Sequence, residues 1–176
     1  MDPLALRLET ERLILRVPEE ADADDLARWL AEAAIAQWTA NIPHPYSRTD
    51  ALRWIGNARD AMRGVRALAF VIERRETPGA IGAVGVALDG PGKEGDIGWW
   101  VAIPHQGQGY AAEAARRVVE LCFAMDVERL TAGALPDNAP SLAVARKLGM
   151  RPAGKLMRAQ PARGTPRETL EFVLER

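Results

Sequence analysis

The stretch Asp96–Met125, DIGWWVAIPHQGQGYAAEAARRVVELCFAM, decides how the rest of the chain is read. Its first part, Ile97 to Ile103, is apolar and aromatic, the composition of a buried strand. Pro104 ends that strand. Gly107 and Gly109 then let the backbone approach a ligand closely, and a helix is predicted to open at about Tyr110. On that helix Tyr110, Ala114, Val118, Leu121, Cys122 and Met125 share one face, and Glu113, Arg116, Arg117 and Glu120 share the other. Such a turn aims free backbone N–H groups at whatever lies above the helix N-terminus, which suits a pyrophosphate.

Two readings of the turn compete. Gly107-Gln108-Gly109-Tyr110-Ala111-Ala112 fits the dinucleotide pattern G-x-G-x-x-G/A, with Glu128 further on. That fingerprint belongs to an early strand with several βαβ units still to come, and too little chain follows Gly109 to supply them. Glu128 also precedes the next predicted strand instead of ending it. The other reading takes Gln106, Gly109 and Ala111 together as Gln-x-x-Gly-x-Ala. That loop resembles the acetyl-CoA pyrophosphate loop of the GCN5-related N-acetyltransferases (GNATs), and its surroundings decide in its favour.

Composition narrows the function classes. The 176 residues suggest a single domain over 1–176 with a sizeable core. A hydrophobic share of 48% and a charged share of 27% are ordinary for a globular protein. A net charge of −1 gives no reason to expect nucleic acid or a membrane surface as partner. With no long apolar run and no signal-peptide pattern, a cytoplasmic location is expected. Cys122, the only cysteine, reads as a small core residue, and with His44 and His105 it builds no metal site, so no metal is expected.

Along the chain, Leu6–Val17 reads as one strand. Asp22 is predicted as an N-cap with Asp25 at N3, opening a short amphipathic helix through Leu26, Trp29 and Leu30. Residues 34–46 read as a loop, and Ser47-Arg48-Thr49-Asp50 as the capping box of a helix reaching about Arg63. Two apolar strands, Ala67–Arg74 and Ile81–Leu88, lead into the central strand through short loops, as an antiparallel meander does. After the central helix come a strand at Arg129–Leu135, a short helix at Asn138–Lys147 closed by Gly149, and a strand pair at Met150–Arg158 and Glu168–Leu174.

Six separated segments now resemble one family over essentially the whole chain. They are Thr10-Glu11-Arg12-Leu13-Ile14-Leu15-Arg16, Ile42-Pro43-His44-Pro45-Tyr46, Asp96-Ile97-Gly98-Trp99-Trp100, Gly107-Gln108-Gly109-Tyr110-Ala111 with Glu113-Ala114, Asn138-Ala139-Pro140-Ser141, and Lys147-Leu148-Gly149-Met150. The order of elements and these marks are similar to the GNATs, and within them to the RimJ/RimL branch that acetylates ribosomal-protein N-termini. The resemblance implies an α+β fold: a mixed, mostly antiparallel twisted sheet of about six or seven strands flanked by about four helices.

It also implies an acetyltransferase with acetyl-CoA as donor. Backbone groups of Gln106, Gly107, Gln108, Gly109, Tyr110, Ala111 and Ala112 would hold the pyrophosphate. Val101, Ala102 and Ile103 would lie beside the thioester, with one N–H polarising its carbonyl. Asn138 would hold the cofactor or simply cap its helix, and Ser141 would protonate the leaving thiolate. Many family members place a tyrosine acid where this chain has Ala145, which leaves room for Tyr46 or for no protein acid at all. Asp96, with Glu94 behind it, is the candidate base, against the plainer reading of solvated turn charges. Glu113 is expected in a structural ion pair, and His105 facing solvent or phosphate. Trp38, His44 and Tyr46, with Arg163 and Arg167, are expected to border the acceptor.

An attacking amine must be neutral. An N-terminal amine of pKa ~7.8 is roughly one-seventh neutral at pH 7, whereas a lysine of pKa ~10.4 is about 0.04% neutral. The resemblance to the branch that acetylates ribosomal-protein N-terminal alanines makes transfer to a protein or peptide α-amine in a ternary complex, by a monomer or homodimer, the leading expectation. Such an amine needs little help from a base. A small amine (polyamine, amino acid or antibiotic) and a non-catalytic acyl-CoA sensor are the alternatives.

Overall fold

The computed structural model describes residues 2–176 and opens with a hairpin where the sequence predicts one strand. β1 (Arg7–Glu9) and β2 (Leu13–Arg16) pair antiparallel, and the Thr10 N–H donates to the Leu13 carbonyl at 3.0 Å across the reversal. The apolar alternation changes phase between Leu6 and Leu8 in one arm and Leu13, Leu15 and Val17 in the other, across the polar run Glu9–Arg12, and that slip marks the turn. Asp22 is also not the side-chain cap of α1 (Ala23–Leu30). Its buried carboxylate accepts the Glu19 N–H at 2.8 Å and both Arg16 Nη groups at 2.9 and 2.7 Å, closing a preceding 3-10 turn. Asp25, predicted at N3, accepts the Ala80 N–H at 3.1 Å and ties α1 to the sheet.

The predicted loop at 34–46 begins with a one-turn helix, α2 (Ala33–Ala36), whose small residues tolerate a helix without announcing one. The capping box before α3 (Arg48–Arg63) forms as predicted: Ser47 Oγ accepts the Asp50 N–H at 3.2 Å and Asp50 accepts the Ser47 N–H at 2.9 Å. Such a cap stabilises a helix by about 1 kcal/mol.

β3 (Ala67–Arg74), β4 (Thr77–Leu88) and β5 (Glu94–Val101) form the expected meander, and β5 leads into α4 (Tyr110–Ala124). β6 (Arg129–Ala134), α5 (Ala139–Lys147), β7 (Arg151–Arg158) and β8 (Arg167–Glu175) complete the chain. Eight strands form one sheet in the order β1-β2-β3-β4-β5-β6-β8-β7, antiparallel except for β5 beside β6. The α+β class is as expected. The sheet has more strands than expected because the first is split, and α2 raises the helix count to five.

Each face of the sheet buries its own helices. Ala114, Val118 and Cys122 of α4 pack on Leu13, Leu15, Phe70 and Ile72, while Leu26 and Leu30 of α1 and Ile55 of α3 pack on Val71 and Ala80. Each large side chain so buried contributes roughly 1.5–3 kcal/mol, an upper figure for a chain already partly collapsed when unfolded. Burial pushes the Cys122 thiol up to about 12, so it is an inert core residue. Among the described residues, no helix is long and apolar enough to cross a membrane.

One departure from regular pairing places the site. β5 and β6 stay in register only from Glu94–Arg129 to Asp96–Thr131, and from Ile97 onward β5 has no partner on that side. β6 continues against β8 as far as Ala134, so the two strands splay apart into a wedge.

Candidate active site

Antiparallel geometry fixes which backbone groups face the wedge. The Ala102 N–H donates to the Ile81 carbonyl on β4 at 2.8 Å, which makes Val101 and Gly82 a pair without mutual hydrogen bonds. Val101, and Trp99 two residues earlier, therefore turn their backbone N–H and C=O groups into the wedge. The Val101 carbonyl accepts from Gln106 Nε2 at 2.8 Å, leaving its N–H free for a ligand. Of the three residues predicted beside a thioester, only Val101 is so placed. Ala102 commits its N–H to the sheet, and Ile103 lies in an exposed 3-10 turn.

Gly107 and Gly109 have φ of 75° and 84°, in the left-handed region. A β-carbon at Gly107 would meet nothing within 4 Å, and one at Gly109 would meet only Arg12 Nη2 at 3.5 Å. The glycines are therefore required by backbone conformation and not by crowding within the protein. Gly109 opens α4 without a side-chain cap, so the first N–H groups of a 15-residue helix remain available to an anion.

The turn is braced from the hairpin. Arg12 Nη1 donates to the Gln108 carbonyl at 3.0 Å, and the guanidinium lies 4.7 Å from the centre of the Tyr110 ring. Glu113 accepts from Thr10 Oγ1 at 2.6 Å, from the Arg12 N–H at 3.0 Å and from Arg12 Nε at 2.7 Å. Burial pushes the Glu113 carboxyl up, and these hydrogen bonds together outweigh it, so its pKa lies below the ordinary value. Glu113 is structural, as expected.

A cavity of about 280 Å³ follows this turn into the wedge. Val101, Gln106, Gly107, Gly109, Tyr110, Ala111, Ala112, Asn138 and Ser141 line it, so nine of the predicted cofactor residues come together; Gln108 points its carbonyl at Arg12 instead. His105 also lines it, its ring edge-on to Trp29 at 5.9 Å. Burial, then the nearby Arg74 and Arg28, hold His105 below its usual pKa.

Next to this cavity lies a trough of about 440 Å³. Its floor is made of small residues brought into register on adjacent strands: Ala69 opposite Gly85, and Gly85 opposite Gly98. Trp38, Thr39, Ile42 and Trp54 wall it. Trough and donor cavity share Trp38, Thr39, Trp99, Trp100, Asn138 and Ser141, so they meet at the wedge.

Asn138 Oδ1 caps α5 by accepting the Ser141 N–H at 3.3 Å, and this fixes Ser141 at the junction. Ala145 is fully buried in the core, so it faces away from both cavities. One helical turn after Ser141, the residue lining the donor cavity is Val144, which also has no hydroxyl.

The predicted carboxylates lie outside this junction. Asp96 accepts from Arg158 Nη1 and Nη2 at 2.7 and 3.0 Å and from Thr131 Oγ1 at 2.9 Å, and Arg158 also pairs with Glu171. Asp96 shares the face of Gly98 and Trp100, with the space above Gly98 open. Glu94 is exposed at the strand's start, 3.5 Å from Arg129. Tyr46 is buried in a side pocket off the trough, where burial and then Asp50, partly offset by Arg53, push its hydroxyl up to about 12. His44 is exposed and lines none of these cavities.

Arg163 of the β7–β8 loop and Arg167 at the start of β8 hold the wall. Arg163 Nη2 donates to the carbonyls of Ala36 and Ile42, the latter at 2.6 Å, while its Nε is buried without a partner. Arg167 Nη1 donates to the Gln37 carbonyl at 3.2 Å. They bracket the segment that carries Trp38 and Thr39. Sequence reasoning missed Thr39, Trp54, Trp99 and Trp100. Two tryptophans in succession on a strand put one large ring on each face, and that was the available signal.

The description "Acetyltransferase (GNAT) domain" fits a family model that matches residues 12–151. The uncharacterised N-acetyltransferase p20 of Bacillus licheniformis is 28% identical over 176 residues, covering 95% of this chain and 94% of that protein. The solved structure of Mycobacterium smegmatis RimJ in complex with CoA-disulfide is 26% identical, covers 93% of this chain and 81% of its own, and has a TM-score of 0.82. Microcin C7 self immunity acetyltransferase MccE, solved with acetyl-CoA and AMP, has a TM-score of 0.85 at 19% identity, with 95% and 94% covered.

Proposed function

The chain belongs to the GNAT acetyltransferase family and is an acetyl-CoA-dependent acyltransferase, and from that premise we propose that its acceptor is the N-terminal α-amine of a protein or peptide. The observation that carries this reading is the meeting of two cavities at Trp99, Trp100 and Ser141. A donor in one and an amine in the other approach each other directly, with no covalent enzyme intermediate required. The trough continues well past the junction, which suits an acceptor with chain behind its amine.

Acetyl-CoA, when bound, supplies a thioester carbon for the amine to attack. The residues present fit it: the left-handed glycines and open N–H groups at the start of α4 receive the pyrophosphate, and the unpaired edge of β5 receives the pantetheine arm. The Val101 N–H is the donor to the developing oxyanion. As the C–N bond forms and the C–S bond breaks, Ser141 gives its hydroxyl proton to the sulfur and is reprotonated from the water that takes up the ammonium proton. A thiol of pKa near ~8.5 leaves with little help, so this role is modest.

The ammonium proton leaves through water in the open space above Gly98. Asp96 lies on that face, with its carboxylate engaged by Arg158. An α-amine tolerates a weak base, since roughly one-seventh of it is already neutral at pH 7. A lysine acceptor would need about 3.5 kcal/mol more help.

The test is a mixture of acetyl-CoA with short peptides whose α-amines are free or blocked, read by peptide mass and free CoA together. A single acetyl group added to free but not blocked peptides is expected. Turnover of small amines alone, with no peptide acetylated, would overturn the α-amine reading and favour a small-molecule acceptor.

A further inference from the structure

The side pocket off the trough has a chemistry of its own. It holds about 240 Å³ and shares Asn41, Ile42, Trp54 and Trp100 with the trough, so it opens onto the path of the acceptor next to the junction. Leu26, Leu30, Pro43 and Tyr46 make up most of the rest of its wall.

Its two charged groups are paired with each other. Asp50 accepts from Ser47 Oγ at 2.6 Å and from Arg53 at 3.2 Å, and hydrogen bonds from Ser47 and then the arginine, against a small opposing effect of burial, hold it below its usual pKa. The Tyr46 hydroxyl stays neutral. The Asp50–Arg53 pair leaves no uncompensated charge facing the space. A cationic or anionic side chain entering here loses hydration and meets no unpaired counter-charge, whereas an apolar one exchanges water for the tryptophans and aliphatic groups.

Resting on the reading of the trough as the acceptor site, we propose that this pocket receives the first side chain of the acceptor and selects an apolar one, aliphatic or aromatic. The amine then lies at the Ser141 junction, the first side chain turns between Trp54 and Trp100, and the rest of the chain follows the trough over Gly98 and Gly85. Asn57 stands at the exposed rim of the pocket on α3, where a larger side chain fills the space without entering the core.

The experiment compares kcat/KM for peptides that differ only in a first residue of alanine, leucine, phenylalanine, lysine or glutamate. Leucine and phenylalanine are expected to exceed lysine and glutamate by about 10-fold or more. Asn57→Trp is expected to erase the advantage of the large residues over alanine and to leave CoA affinity, measured by calorimetry, unchanged. Equal rates for lysine and leucine, or a preference untouched by Asn57→Trp, would overturn the proposal.

If no peptide is acetylated, phenethylamine and isoamylamine against putrescine separate the two ideas. Preference for the apolar amines, lost in Asn57→Trp, keeps the pocket and removes the α-amine reading. No preference among them removes the pocket as well.

Discussion

The two sides of the wedge between β5 and β6 are held in shape by different means. On the proposed donor side the groups are backbone: the Val101 edge, two glycines at φ of 75° and 84°, and the start of α4. They follow one another in the chain, and a single brace from Arg12 and Glu113 fixes them. On the proposed acceptor side the groups are side chains from α1, the segment after α2, α3, β5 and α5, held by Arg163 of the β7–β8 loop and Arg167 of β8. A surface made of local backbone geometry has little room to vary. One assembled from distant side chains can change its preference by a single substitution while the donor side stays intact.

The largest effect should come from breaking the donor side. Gly109→Val forces a β-branched residue into the left-handed region, at a cost of about 1–2 kcal/mol, and displaces the first N–H groups of α4. CoA affinity by calorimetry should fall by about 10-fold or more, with the melting temperature lowered. An unchanged affinity would mean that the turn does not hold the donor.

Next in size is the acceptor wall. Arg163→Ala leaves the Ile42 carbonyl without this donor, removes one of several on the Ala36 carbonyl, and loosens the Trp38 segment. KM for the acceptor should rise by about 3- to 10-fold while CoA affinity holds. Equal losses for both substrates would erase the distinction between the two sides.

The brace gives a pH signature. The folded-state pKa of Glu113 is lowered, so its stabilisation is complete above the unfolded value of ~4.3 and is lost as pH falls through the lower folded value. Glu113→Gln should lose about 1–3 kcal/mol near neutral pH and close that gap toward wild type in acid, as followed by denaturant melts from pH 7 down to about 3. A pH-independent difference would mean that the charge of Glu113 is not what holds the turn.

The smallest expected effect is that of Ser141→Ala, less than about 10-fold in kcat, because the thiolate leaves readily. A loss nearer 10³-fold would assign Ser141 a larger share of the chemistry.

This division also explains what could be read in advance. Gly107, Gly109 and the capping box at Ser47 act through their own neighbours in sequence, and local spacing revealed them. Asp96 sits where a family base would be, yet Arg158, from the far edge of the sheet, engages it, and nothing in local sequence announces that contact. The β1–β2 reversal, by contrast, does leave a local mark, the polar run Glu9–Arg12 with a change of apolar phase across it, which a single strand over Leu6–Val17 overlooks. Trp54 reads as an ordinary helical residue until α3 is laid beside Trp100. Ala145 fails as a marker because helix phase, which a single aligned position does not convey, turns it into the core and Val144 toward the cavity.

The measurement that addresses the central claim most directly is the affinity of a conjugate in which CoA is joined through an acetyl link to the α-amine of an accepted peptide. If donor slot and acceptor trough meet at the wedge, both halves engage at once, and the conjugate should bind about 10²-fold or more tightly than CoA. Arg163→Ala should remove much of that gain and leave CoA binding alone. A conjugate that binds no better than CoA would contradict the account, because the two cavities would then not be the two halves of one active site.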